Sequence, residues 1–72
     1  MTRDEWIARF AAELGVDPPD EDTVEALLAL AGTAAHASER TAAPIACYLV
    51  GVAGTRPVEA AATAAAVAPP SA

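Results

Sequence analysis

The sequence has no lysine and only four arginines, Arg3, Arg9, Arg40 and Arg56, against ten aspartates and glutamates, for a net charge of −6. A nucleic-acid-binding surface needs a basic stripe to neutralise phosphates, and these residues cannot assemble one. An anionic membrane surface is disfavoured for the same reason. Cys47 is the single cysteine, so no internal disulfide is open to the chain and nothing calls for an oxidising compartment. Aromatic side chains are limited to Trp6, Phe10 and Tyr48. No apolar run reaches the roughly 18 residues of a membrane span. The opening residues are acidic rather than basic and then apolar, unlike a signal peptide. The expectation is a cytoplasmic protein with neither nucleic acid nor membrane among its partners.

What is abundant is alanine. It supplies 21 of the 72 residues, so the 54% hydrophobic content overstates the core. Only about sixteen side chains are large and apolar, which for one small domain leaves burial and ordering entropy nearly balanced. The expectation is a marginal monomer, or one helped by a second copy or a partner.

The apolar spacing is helical throughout, with no β-type alternation and no internal repeat. Thr2 and Glu5 form a capping box, and Trp6, Ile7, Phe10, Ala11 and Leu14 follow at helical spacing. Gly15 and Pro18-Pro19 stop this first helix, placed at residues 3–14. Asp22, with Glu25 as its reciprocal partner, is read as the cap of a second helix over 23–37. Its core stripe is Val24, Leu27, Leu28, Ala31, Ala34 and Ala35. Pro44 suits the first turn of a third helix. Ile45, Leu49 and Val52 share one face of it, while Cys47, Val50, Gly51 and Gly54 occupy the other. A helix apolar or small all round is buried on more than one side, so helix three is read as the bundle centre or an interface. A fourth helix begins at Pro57 and is almost pure alanine, which favours helix but offers little area to bury. Residues 68–72 are expected to be a disordered tail. The fold class is all-α: a small three- to four-helix bundle with short loops, one domain over 1–67.

No catalytic constellation emerges. Cys47 and His36 lack a third, orienting group, and a lone cysteine among apolar neighbours is usually a small buried hydrophobe. The same residues lack zinc-like spacing. The acidic run from Asp17 to Asp22 fails as a calcium loop, because prolines interrupt it and its twelfth position is Leu28. Acyl carrier proteins are acidic helical domains of similar size, but the serine that opens their second helix is replaced here by Thr23 in Asp22-Thr23-Val24. Trp6 and Phe10 are read as core. If helix two runs straight to residue 40, Ala29, Gly32, His36 and Arg40 line the side away from the leucines. Small residues there admit close approach, and His and Arg bind carboxylates or other anions. These four form a candidate interaction patch. Cys47, Gly51 and Gly54 form a candidate dimer face.

Several stretches resemble a small domain-of-unknown-function family of high-GC bacteria. They are Asp4-Glu5-Trp6-Ile7 and Glu13-Leu14-Gly15-Val16, then Ala34-Ala35-His36-Ala37, Arg40-Thr41-Ala42-Ala43-Pro44-Ile45 and Tyr48-Leu49-Val50-Gly51. The resemblance covers about residues 4–54. Such domains occur as free-standing proteins or as tails on molybdenum-cofactor guanylyltransferase-type proteins. It therefore implies an accessory role near molybdenum cofactor biosynthesis or molybdoenzyme maturation, with a molybdenum-cofactor protein as partner. The nucleotidyltransferase itself does not fit in 72 residues. The family's last helix carries larger apolar residues than Ala60 to Ala66, which puts the packing of helix four in question.

The functional expectation is a non-catalytic helical interaction or accessory module that binds no cofactor or metal and forms a homodimer or docks on a protein partner. The alternative is a small anion- or nucleotide-binding domain centred on His36 and Arg40.

Overall fold

The computed structural model describes residues 1–67, which form four α-helices and no strand. They are α1 (Arg3–Leu14), α2 (Glu21–Ala37), α3 (Ala42–Ala53) and α4 (Pro57–Val67). The expected all-α class, the helix count and the short loops all hold. The expected disordered tail, residues 68–72, lies outside the described residues.

Local chemistry sets most boundaries. The Thr2 hydroxyl accepts the Glu5 amide proton at 3.1 Å, and the Glu5 carboxylate accepts the Thr2 amide proton at 3.0 Å, closing the capping box. Gly15 ends α1 in the left-handed region at φ 78°, its N–H returning to the carbonyls of Ala11 and Ala12. Pro44 occupies the third position of α3, where its missing N–H would have had no intrahelical partner. The Arg56 carbonyl accepts the Ala60 amide proton at 2.9 Å, opening α4.

One cap differs from expectation. α2 starts at Glu21, and its cap is Asp20, not Asp22. Pro18 and Pro19 bar helix only up to their own positions, so the helix begins as soon as they are passed. The Asp20 carboxylate then lies three residues before the Thr23 amide and captures it, leaving Asp22 inside the first turn.

The bundle is organised around α2. α3 and α4 both pack along it, whereas α1 packs lengthwise against none of the other helices. Leu30 of α2 is the most buried residue at 2% exposure, joined by Ala11 and Ala60. Helix three is therefore not the bundle centre, and none of its residues is fully buried. The side that carries Ile45, Leu49 and Val52 is the more exposed of its two faces. All three are exposed, and the half-buried residues are Ala42, Ala43, Ala46, Cys47 and Val50. Small side chains let two helix axes approach closely, so the alanine side is the one that meets α2. The α2 stripe is shifted likewise: Leu30 is inside and Leu28 outside, because α2 is contacted on two sides and its packed arc is wider than one stripe.

Trp6 and Phe10 are not core either. They are 52% and 47% exposed, because no other helix runs along α1 to cover them. The accessible surface totals 5545 Å² for a 7.2 kDa chain.

Candidate functional site

A groove of about 660 Å³ has α2 as its floor and α3 and α4 as its walls. Leu30, Ala34 and Ala37 come from α2, Ile45, Leu49 and Val50 from α3, and Ala60, Ala64 and Val67 from α4. Among the described residues, no charged side chain lines it. Four hydroxyl groups do, from Thr33, Ser38, Thr55 and Thr63, but three are already committed. Thr33 donates to the Ala29 carbonyl, Ser38 to Ala34 and Thr63 to Glu59, at 3.1 to 3.2 Å. Each bond ties the hydroxyl to its own helix and leaves it less to offer a ligand. Ile45 and Leu49 remain 60% and 58% exposed along the rim. A surface of this kind rewards apolar contact and offers little to a charged ligand.

The helical spacing of small residues builds this groove. Ala46 on α3, and Ala60 and Ala64 on α4, offer little area of their own but are buried or half-buried where those helices pack along α2. Leu30, Ala60 and Ala64 were not singled out from the sequence. The signal was present as alanines four apart in the fourth helix, where a residue read as poor in burial turns out to be one of the three most buried.

A second depression of about 560 Å³ lies on α1, lined by Met1, Trp6, Arg9, Phe10, Ala12 and Glu13. Trp6 and Phe10 stack there with ring centroids 5.0 Å apart.

The candidate patch is divided by the end of α2. Ala29, Gly32 and His36 lie on the helix, with Ala29 and His36 exposed and Gly32 half-buried. The helix stops at Ala37, and Arg40 belongs to the turn that follows, so helical spacing no longer places it beside His36. A Cβ added at Gly32 would meet nothing within 4 Å, so the chain itself makes no close approach there. On the candidate dimer face Cys47 is half-buried while Gly51 and Gly54 are exposed. Gly54 has a local reason to be glycine: it terminates α3 at φ 69°. Gly51 has none within the chain, since a Cβ there also meets open space. Among the described residues no three His, Cys, Asp or Glu side chains converge as metal ligands, and no helix is long and apolar enough to cross a membrane.

Two carboxylates are electrostatically distinct. Hydrogen bonding to the Thr2 amide, and then to its hydroxyl, lowers the pKa of Glu5 from its ordinary value. Hydrogen bonding to Thr23 lowers that of Asp20. Both are helix-cap interactions and lie apart from the groove.

No curated protein and no solved structure gives a significant match to the chain. Its sequence does match one family over residues 1–71, nearly its full length. The chain belongs to the domain-of-unknown-function family DUF6457.

Proposed function

We propose that this domain is a non-catalytic helical accessory module that receives an apolar helix of a protein partner in the α2–α3–α4 groove. The observation that carries this reading is the groove lining, which has exposed aliphatic side chains, no charge and three hydroxyls bound to their own helices. Helix-in-groove recognition uses such a surface, with anchors spaced at three and four residues on the incoming helix. The resemblance of the stretch from Ala34 to Gly51 to domains carried as tails on molybdenum-cofactor guanylyltransferase-type proteins supports a partner from molybdenum cofactor biosynthesis or molybdoenzyme maturation. The anion-binding alternative finds no comparable support. His36 sits in the last turn of α2, where a cation suits the negative end of the helix, and Arg40 lies beyond it.

The test is calorimetric titration of the domain into the guanylyltransferase-type protein of the same genome, repeated with Leu49→Asp. Leu49 is exposed on the groove rim, so the variant should fold, as circular dichroism will show. The expected result is saturable binding that weakens at least about a hundredfold in the variant, as loss of an apolar anchor in a hot spot would produce. Equal binding by both proteins, or none by the unaltered domain, overturns the proposal.

A further inference from the structure

α1 carries a face that the rest of the chain leaves uncovered. Trp6 and Phe10, the only tryptophan and phenylalanine present, stack on it at about half exposure. Arg9 and Glu13 flank the same depression. Neither has an ion-pair partner within 4.0 Å among the described residues, where the two salt bridges are Arg3 with Asp4 and Arg56 with Glu59. Four residues separate them in the order Arg then Glu, the less favourable orientation for pairing within one helix.

Such a face is self-complementary. It has a cation toward its N-terminal end, an anion toward its C-terminal end and aromatic surface beside them. Laid antiparallel on a copy of itself about a two-fold axis at the level of Ala11, it brings residue 9 of each chain opposite residue 13 of the other. Two-fold dimers pair surfaces in this reciprocal way. Phe10 then lies one residue from the axis, beside its symmetry mate. We propose that the Trp6/Phe10 face of α1 is a self-association surface on which a second copy seats its own α1 antiparallel, with Arg9 of each chain against the partner's Glu13. This surface is separate from the groove, so the two proposals stand or fall independently.

The charge pattern permits a test that no general loss of stability can imitate. In Arg9→Glu, both cross-pairs become Glu against Glu. In Glu13→Arg, both become Arg against Arg. Mixing the two variants gives heterodimers in which both pairs are again opposite in sign. Sedimentation equilibrium on the full chain, with Trp6 fluorescence as a second readout, should find the unaltered protein dimeric at about 100 µM. Each single variant should dimerise at least about tenfold more weakly, since like charges are brought together. An equimolar mixture, and the double variant Arg9→Glu/Glu13→Arg, should recover dimerisation and a blue-shifted Trp6 emission. The proposal is overturned if the unaltered chain is monomeric at that concentration. It is overturned equally if the single variants dimerise as well as the unaltered chain, or if the mixture stays monomeric.

Discussion

The carboxylate of Asp20 accepts the amide proton of Thr23 at 2.8 Å, and this bond opens the central helix of the fold. α2 has Glu21 and Asp22 in its first turn as well, so three carboxylates crowd the positive end of the helix. Only Asp20 is placed to satisfy a free backbone donor.

A pH dependence follows from that placement. Hydrogen bonding to the Thr23 side chain, and then to its amide, holds the Asp20 carboxyl below its ordinary value of 3.8. A group whose pKa is depressed by folding contributes stability that is present above its unfolded value and lost as pH falls through its folded value. Asp20→Asn keeps a side-chain cap but removes the titration. The unaltered protein should therefore be the more stable of the two at pH 7. Its advantage should shrink between about pH 5 and pH 2. The pair comparison cancels the relief of self-repulsion that the other carboxylates of this acidic chain bring on protonation. Urea melts of both proteins across that range measure the gap, and a gap constant with pH would refute the assignment.

Leu30 and Leu28 should separate sharply in a stability assay. Leu30 is 2% exposed where α2 meets its neighbours, and Leu28 is 56% exposed two residues earlier. Leu30→Ala removes a buried side chain and leaves a cavity, at a cost of about 2–5 kcal/mol. A chain of 72 residues holds on the order of 4–11 kcal/mol in total, so this change should bring the domain near unfolding at 37 °C. Leu28→Ala should change stability by less than about 0.5 kcal/mol. Chemical denaturation followed by circular dichroism distinguishes them, and comparable losses would show that the packed arc of α2 extends to Leu28.

Helix existence was legible in the sequence because it depends on short-range signals. Thr2 with Glu5, Gly15, Pro44, Gly54 and Pro57 each act within one turn, and α1 and α4 fall at their expected limits. Which face turns inward was less legible. Side-chain size suggested that Trp6 and Phe10 face the core, but both are about half exposed. Burial in a bundle this small depends on how closely axes approach. That distance is set by alanines such as Ala46, Ala60 and Ala64, whose contribution does not register as apolar area. The groove was missed for the same reason, since it exists only once α3 and α4 are seen to flank α2. The Arg40 placement failed because Ser38, at φ −141° and ψ −92°, leaves helical geometry before residue 40 is reached.

The two glycines near the end of α3 should respond in opposite directions to the same substitution. Gly54 sits at φ 69°, where an L side chain brings its Cβ too near the neighbouring carbonyl. Gly54→Ala should therefore cost about 1–2 kcal/mol. Gly51 lies within the helix, and a Cβ added there meets nothing within 4 Å. Gly51→Ala should gain about 0.5–1 kcal/mol, because alanine loses less backbone freedom than glycine on entering a helix. Thermal melts at low protein concentration read both effects in the monomer. Repeating them at high concentration examines the side of α3 that carries Cys47, Gly51 and Gly54. If two copies approached closely there, the methyl group of Gly51→Ala would obstruct them, and its advantage would fall as concentration rises. Self-association through α1 leaves that side open, so the advantage of Gly51→Ala should be the same at both concentrations. A concentration-dependent loss would move the self-association surface from α1 to α3.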